Sequence, residues 1–284
     1  MASIRVIRRR IRGIKNIAKI TKAMEMIAAS KMRRAQERGL AGRAYSEKIQ
    51  QVIADLAALP EMRVHPLLQR RPINRIEIVH ITPERGLCGG LNASINRHCA
   101  KFILEQEVPT SLIAVGKKGL EFMMRYGRDI TAEFTQLGDH PVLLDILPIA
   151  RIIIDGYTAG DIDGVYLSYS GFVSTTVQKP VMQQLLPVEP AQIPAAQNVE
   201  YIYEPGAPAV LDALLPRFVE MEIYHAILES IASEQSARMV AMRNATDSAN
   251  ELIGDLTLMY NKARQESITT ELLDITGGVA ALGE

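Results

Sequence analysis

The chain has 284 residues, of which 48% are hydrophobic and 23% are charged, and its formal net charge is zero. A chain of this length can build one or two hydrophobic cores, and it contains no uninterrupted apolar run long enough to span a membrane as a helix. Its two cysteines, Cys88 and Cys99, lack the spacing of a zinc site and are typical of a reducing compartment.

The first 59 residues contain no proline and carry an apolar residue every three or four positions. This heptad stripe runs through Ile4, Ile7, Ile11, Ile14, Ala18 and Thr21, and continues after Glu25 with Ala28, Met32 and Ala35. The pattern predicts a long helix over residues 1–59 that pairs with another helix, followed by a linker over 60–72. A neighbouring apolar stripe predicts a second contact face; it comprises Ile17, Ile20, Met24 and Ile27. We expect mature structure here rather than a secretory signal, because no apolar segment follows the basic start.

Charge is distributed unevenly along the chain. Residues 1–60 contain fourteen lysines and arginines against four acidic residues, so the rest of the chain is acidic by a similar amount. The basic end is therefore expected to face an acidic surface.

The middle third alternates strand and helix patterns. Strands are predicted at Arg75–Thr82, Ser111–Val115, Gly164–Ser170 and Val177–Leu186, and helices at Leu91–Gln106, Lys118–Tyr126 and Pro148–Tyr157. Pro148 is compatible with the first turn of its helix. This alternation predicts a small Rossmann-like α/β domain over residues 73–188, followed by a linker over 189–208.

The last stretch, residues 209–284, has a second heptad seam, and its helix is expected to run from near Arg217 to near Thr276. The seam runs through Leu228, Ala232, Gln235, Met239, Met242, Thr246, Ala249, Ile253, Leu256, Tyr260, Ala263 and Ser267. Two long helices that flank one domain can pair antiparallel, each burying the seam of the other. The predicted fold class is thus α/β plus a long antiparallel coiled coil of the N- and C-terminal helices.

No stretch carries a strong catalytic or cofactor motif. The glycine-rich loop Glu84–Asn92 follows a strand and precedes a helix, but it lacks the spacing of nucleotide-binding loops, so tight turning and close approach are favoured. A cysteine nucleophile at Cys88 with His80 or His98 lacks a supporting acid. The five histidines are scattered, so we expect no metal, and low aromatic content disfavours nucleic acid. We expect no catalytic residue and no cofactor.

Three blocks of sequence together carry a resemblance to a known family. They are RRRIRGIKNIAKITKAMEMIAASKMRRAQ at 8–36, RGLCGGLN at 85–92, and EQSARMVAMRNATDSANELIGDLTLMYNKARQESITTELL at 234–273. These long matches resemble the gamma subunit of F-type ATP synthases, and the domain order agrees over the whole chain. One departure is Val279 after Gly278, where the family pattern has alanine. The cysteine-bearing regulatory segment of chloroplast gammas is absent, so thiol regulation of that kind is not expected.

The resemblance implies a non-catalytic central-stalk rotor, present in one copy per complex. It would transmit torque between an ion-driven ring and the catalytic hexamer of alpha and beta subunits, coupling proton translocation to ATP synthesis or hydrolysis. The implied partners are alpha, beta, epsilon and the c-ring, without nucleic acid. The implied location is the periphery of a bacterial plasma membrane, on its cytoplasmic side.

The resemblance also implies roles for particular residues. The implied stator-contact or coupling residues are Met24, Arg85, Cys88, Arg238, Arg264, Gln265, Thr269 and Glu271, and we hypothesise that Met24 and Gln265 are coupling residues. A basic face that meets acidic segments of beta comprises Lys19, Lys22, Arg33 and Arg34.

Two other classes of protein fit the residues alone. One is a structural coiled-coil hairpin that binds filaments or nucleic acid through its basic end. The other is an α/β enzyme with helical extensions, which predicts turnover by the isolated chain.

Overall fold

A computed structural model of the chain describes residues 4–57, 65–189 and 203–282. Side chains at 43, 44, 47, 57 and 280–282 lie outside this description, as do residues 60–64 of the first predicted linker and 190–202 of the second. The chain divides into two compact units, one of Met1–Ile27 with Met239–Glu284 and the other of Ala28–Arg238. None of the described helices is both long and apolar enough to cross a membrane.

Two long helices carry the heptad seams. Helix α1 spans Ile4–Ala57, which agrees with the sequence prediction. The C-terminal helix, α5, spans Ala207–Leu282, so the predicted start near Arg217 is wrong. Pro216 lies inside α5 and removes one helical hydrogen bond, at a cost of about 3 kcal/mol. Full burial of Leu211 and Leu215, about 1.5–3 kcal/mol each, offsets this cost.

The α/β domain contains one five-stranded sheet and three helices. In chain order they are β1 Ile76–Ile81, α2 Leu91–Glu105, β2 Thr110–Val115, α3 Lys117–Arg125, β3 Asp129–Phe134, α4 Leu143–Ala159, β4 Gly164–Phe172 and β5 Gln178–Leu186. The strand order is β3-β2-β1-β4-β5, with β1 to β4 parallel and β5 antiparallel to β4. The alternation of strands and helices predicted from sequence is therefore confirmed.

Two elements differ from the sequence prediction. Strand β3 was not predicted, because it is an edge strand whose residues alternate between exposed and half-buried without a β-branched run. Helix α4 begins at Leu143, where the Asp145 carboxylate accepts a 2.8 Å hydrogen bond from the Val142 N–H. Pro148 thus lies in the second turn, not the first, and burial of Ile146 and Ile149 on either side stabilises the helix around it.

The sheet is covered on both faces, which explains why every residue of β1 is buried. On one face, Val79 and Ile81 pack in a core with α4 and with the parts of α1 and α5 that lie in the larger unit. On the other face, Ile76 and Ile78 pack against α2 and α3. A buried imidazole on this second face, His80, hydrogen-bonds Ser168 and Asn96, and burial lowers its pKa to about 4.

Within each unit the two long helices run antiparallel. In the smaller unit the Thr21 and Thr246 hydroxyls share a 2.7 Å hydrogen bond inside the seam. Glu25 interrupts the apolar stripe of α1 and forms ion pairs instead. Its carboxylate lies 3.0 Å from the Lys22 ammonium and 3.8 Å from the Arg243 guanidinium.

In the larger unit, Ser46 contacts Glu222 and the backbone of Gly42 approaches the His225 ring. In both units, contacting residues have increasing numbers along α1 and decreasing numbers along α5, so the two helices are antiparallel within each unit. Each predicted seam residue of α5 from Leu228 to Ser267 is buried or half-buried. The antiparallel coiled coil predicted from sequence is confirmed.

Candidate functional site: a polar collar at the sheet edge

Helix α5 crosses the carboxyl edge of the sheet. In sheets of this strand order, ligands bind in the crevice outside the carboxyl ends of the strands, where the strand order reverses between β1 and β4. Here the Ser233 hydroxyl of α5 donates a buried 2.8 Å hydrogen bond to the carbonyl of Ser170 in β4. One helical turn later, the Ser236 hydroxyl donates to the carbonyl of Thr175 at 2.7 Å. The helix therefore occupies the place of a ligand.

The glycine-rich loop after β1 also meets α5. Its backbone turns through positive φ at Leu87 and Gly89, which allows the chain to reverse tightly before α2. The carbonyl of Gly86 accepts a 3.2 Å hydrogen bond from the Arg238 guanidinium of α5. The sequence favoured a loop whose glycines let another group come close to its backbone. That group is Arg238 of the same chain.

Arg238 belongs to a group of polar residues that we call the collar, defined as Lys31, Asp139, Glu234, Gln235, Arg238 and the carbonyl of Gly86. Lys31 of α1 lies 2.6 Å from Asp139, in the loop after β3. Asp139 also accepts a 3.5 Å contact from Gln235 of α5. Arg238 lies 2.6 Å from Glu234 one turn back along the same helix. The collar thus joins both long helices to two loops at the sheet edge.

In the collar, burial and neighbouring cations have opposite effects on the pKa values of the acidic side chains. Burial raises the pKa of Glu234, while Arg238 lowers it. Burial would also raise the pKa of Asp139, but Lys31, with help from Arg238, holds it below its ordinary value. Burial and the carboxylate of Glu234 raise the pKa of the nearby Cys88 thiol, so this sulfur is in its unreactive protonated form at neutral pH.

Little space remains beneath α5 at this edge. A cavity of about 40 Å³ lies at the ends of β1 and β2, lined by residues that include Thr82, Gly116, Ser230 and Glu234. This volume holds a water molecule or two, whereas pockets for cofactor-sized ligands measure roughly 300–1,000 Å³. Among the described residues no group of three or more histidine, cysteine or acidic side chains could hold a metal ion.

The structure brings three of the predicted site residues together. Arg238 bonds the glycine-rich loop, Cys88 is buried within that loop, and the Arg85 carbonyl accepts hydrogen bonds from Cys88 and Asn92. The side chain of Arg85 itself is exposed. These three residues therefore share one region of the larger unit.

The other predicted residues lie apart from the collar. Met24 is half-buried on α1, and the four basic-face residues are exposed along the same helix: Lys19, Lys22, Arg33 and Arg34. The remaining predicted residues are all exposed near the end of α5: Arg264, Gln265, Thr269 and Glu271. Two of them are held locally, because Thr269 donates to the Gln265 carbonyl at 2.9 Å and Glu271 accepts from Ser267 at 3.3 Å.

Sequence reasoning missed Lys31, Asp139 and Glu234. Lys31 was counted only as part of the basic end, and Asp139 lies in a loop without a motif. A signal for Glu234 was available, because it stands four residues before Arg238 on a predicted helix, the spacing of an ion pair. Gln235 offered a second signal, because it is a long polar side chain in a mostly apolar part of the seam.

Comparison with known proteins gives consistent matches over the chain. Residues 3–282 match the family model described as ATP synthase. The chain is 66% identical over 284 residues to the ATP synthase gamma chain of Dehalococcoides mccartyi (strain ATCC BAA-2266 / KCTC 15142 / 195), covering 99% of this chain and 100% of that one. It is 51% identical over 289 residues to the ATP synthase gamma chain of Roseiflexus castenholzii, with both chains fully covered.

Solved structures show the same arrangement of elements. A chain from the central stalk and c-ring of the Tetrahymena thermophila mitochondrial ATP synthase is 28% identical, with a TM-score of 0.64 over 80% of this chain and 99% of that one. A chain from the Euglena gracilis mitochondrial ATP synthase, in rotational state 3, is 20% identical, with a TM-score of 0.66 over 98% of this chain and 94% of that one. The second likeness concerns the fold alone.

Proposed function

The chain belongs to the ATP synthase gamma chain family, and from that membership we propose that it is the non-catalytic rotor of the central stalk in an F-type ATP synthase. It transmits torque between an ion-driven membrane ring and the catalytic hexamer of alpha and beta subunits. One copy turns in each complex, at the cytoplasmic periphery of a bacterial plasma membrane. The α/β domain faces the epsilon subunit and the ring.

The end of α5 is the observation that supports this proposal most directly. From Ile268 to Val279 every residue is exposed, including large apolar side chains that an isolated helix would leave in water. These apolar residues are Ile268, Leu272, Leu273, Ile275 and Val279, each between 49% and 67% exposed. Exposed apolar surface of this kind marks a site of interaction with another protein. A sleeve formed by the hexamer covers it without demanding polar contacts that would hold the rotor in one position.

Polar and charged residues give the contact its orientation. The basic face of α1, with Lys19, Lys22, Arg33 and Arg34, meets acidic segments of beta as these open and close. The coupling residues on α5 are Arg264, Gln265, Thr269 and Glu271, and their exposure leaves them free to contact alpha and beta. Met24, half-buried on α1, is a coupling residue together with Gln265. Arg85, Cys88 and Arg238, in or beside the collar, are the stator-contact residues of the larger unit.

A reconstituted complex of this chain with alpha and beta tests the proposal. Cys88 and Cys99 are 1% and 0% exposed, so a cysteine introduced at the exposed position Glu107 (Glu107→Cys) takes a probe selectively. We expect ATP hydrolysis by the complex, none by the chain alone, and stepwise rotation of the probe during hydrolysis. Hydrolysis by the isolated chain, or a probe that stays still while the complex turns over ATP, would overturn it.

A second measurement addresses the apolar end. Replacement of Leu272 by Asp removes a burial contribution of about 1.5–3 kcal/mol, so the complex should dissociate at least tenfold more readily. The matched control is Thr270→Asp, which adds the same charge at a polar exposed position two residues away. Equal affinity of both variants for the hexamer would contradict the role assigned to the apolar end.

A further inference from the structure

A buried carboxyl group that the rotor function leaves unexplained lies inside the α/β domain. Glu77 of β1 is only 2% exposed. Because side chains alternate between the two faces of a strand, Glu77 points to the same face as Val79 and Ile81, which pack in the core with α4. Burial of a carboxyl group is costly unless hydrogen bonds or loss of its charge compensate for the lost contact with water.

Two hydroxyl groups converge on one oxygen of this carboxyl group. Ser111 of β2, the register partner of Glu77, lies in hydrogen-bond contact with Oε2. Thr131 of β3 lies 3.2 Å from the same oxygen. The register between β2 and β3 shifts at this point, and Thr131 is the extra residue of the resulting bulge. Because bulges re-aim side chains, the bulge explains how the edge strand brings this hydroxyl to Glu77. On its other side Glu77 pairs with the apolar Val165 of β4.

The other oxygen of Glu77, Oε1, is buried without a hydrogen-bond partner in the part of the chain that the structure describes. An ionised carboxylate shares its charge between both oxygens, so Oε1 would hold half of that charge with no donor. In the neutral acid, Oε2 carries the proton and donates it to the Ser111 hydroxyl, while the Thr131 hydroxyl donates to Oε2. Oε1 is then an uncharged carbonyl oxygen, which costs less to bury. The arrangement of donors therefore favours the neutral acid.

The charges around Glu77 do not reverse this preference. Burial is the largest influence and raises its pKa, whereas the Ser111 and Thr131 hydroxyls lower it. The charge of Arg75 lowers the pKa and that of Asp129 raises it, and the net direction is upward. Arg75 and Asp129 pair with each other at 3.2 Å, and both are exposed. The charged residues of α4, on the helix that covers this face, are exposed as well: Asp145, Arg151 and Asp155.

We propose that Glu77 is a proton-linked latch at the sheet edge, in which the neutral acid joins β1 to β2 and to the bulge of β3, and ionisation loosens β3. An ionised Glu77 needs water at Oε1, and β3 is the edge strand whose parting from β2 admits it. Because the folded-state pKa lies above the unfolded one, the stabilisation is complete below the unfolded pKa and is lost as pH rises to the folded one. This latch goes beyond the rotor function and does not depend on it.

NMR of the full chain, with glutamate isotope-labelled at its side-chain carboxyl carbon, tests the protonation of Glu77 directly. The signal that is missing from the Glu77→Gln variant identifies this residue. We expect the signal to titrate at a higher pH than the pooled signals of the exposed glutamates in the same sample. A midpoint at or below theirs would overturn the proposal.

A second variant separates the latch from ordinary packing. Thr131→Val removes a donor that binds the charged form more tightly than the neutral one, so the midpoint of Glu77 should rise further. The matched control is Thr135→Val, the same replacement at an exposed position just after β3, which should leave the midpoint where it was. A purely structural Thr131 would weaken the strand without moving the midpoint, so an unchanged midpoint in Thr131→Val would overturn the assignment.

Amide hydrogen exchange measures the loosening of β3. The ratio of exchange rates between the original chain and Glu77→Gln cancels the intrinsic effect of pH on exchange. For the amides of β3 we expect this ratio to rise about tenfold for each pH unit between the ordinary pKa of glutamate and the midpoint measured for Glu77. The amides of β5, at the opposite edge of the sheet, are the internal control and should keep a constant ratio. A ratio for β3 that does not change with pH would overturn the latch.

Discussion

The ion pair between Arg238 and Glu234 offers the sharpest test of the collar. The guanidinium lies 2.6 Å from the carboxylate and 3.2 Å from the carbonyl of Gly86, and the two side chains are only 13% and 14% exposed. Arg238→Met removes the charge and both hydrogen bonds while it retains much of the apolar stem. The carboxylate of Glu234 then stays in its buried position without a counter-charge.

The expected loss follows from these distances and exposures. Removal of one partner from a buried ion pair costs about 3–5 kcal/mol, and loss of the hydrogen bond to Gly86 adds about 1 kcal/mol. Because the pair keeps some contact with solvent, we expect a total near the lower end, about 3 kcal/mol. The double variant Arg238→Met with Glu234→Gln should recover most of this, leaving about 1 kcal/mol for the lost hydrogen bond and stem packing.

The loss should also depend on pH. Burial already raises the pKa of Glu234 above its ordinary value, and Arg238 opposes that effect. Without the arginine the folded-state pKa rises further above the unfolded value, so the folded chain binds the proton more tightly than the unfolded chain does. Stability then falls as pH rises from the unfolded pKa towards the folded one. The difference in stability between the variant and the original chain is therefore smallest below the unfolded-state pKa of glutamate, about 4.3, and larger at pH 8.

Urea unfolding of the full chain at pH 5 and pH 8, followed by circular dichroism, measures these quantities. The matched control is Arg217→Met on the same helix, because Arg217 pairs with Glu220 at 2.9 Å but is 58% exposed. Exposed pairs contribute about 0–1 kcal/mol, so this control should change stability little at either pH. An Arg238→Met loss no larger than that of the control, or a loss of equal size at both pH values, would refute the reasoning.

Two further predictions concern the long helices. Gly39→Ala should stabilise the chain by about 0.5–1 kcal/mol, because its new Cβ meets no atom within 4 Å and alanine favours a helix more than glycine does. Gly42→Ala should instead destabilise the chain by about 1 kcal/mol, because its Cβ would lie 2.8 Å from Cε1 of the His225 imidazole. Thermal unfolding of the two variants checks this, and the same sign for both would contradict it. Thr21→Val and Thr246→Val should each cost about 1 kcal/mol, and the double variant should cost less than the sum of the two, because the bond between the hydroxyls is lost only once in all three variants. In each single variant the remaining hydroxyl keeps a backbone carbonyl of its own helix as acceptor. Additive losses in a double-mutant cycle would show that the 2.7 Å bond between them contributes nothing.

Local periodicity carried much of the fold prediction. The heptad seams of α1 and α5 appear in the structure with the predicted phase, and the alternation of apolar runs located four of the five strands. Predictions failed where packing overrode local preference. Pro216 and Pro148 lie inside helices because the neighbouring apolar residues are buried, and β3 forms because β2 offers it an edge. Neither effect is visible in a window of a few residues.

The sequence by itself determined that two long helices with buried seams flank an α/β domain, and its motifs indicated the family. This was possible because the spacing of apolar residues that distinguishes a helix from a strand can be seen within a short run of consecutive residues. Only the tertiary structure decided that α5 fills the sheet edge where a ligand would bind, and that Lys31, Asp139 and Arg238 meet there. These residues are separated by about a hundred positions each along the chain. Their contact depends on how the helices cross the sheet, which no local pattern encodes.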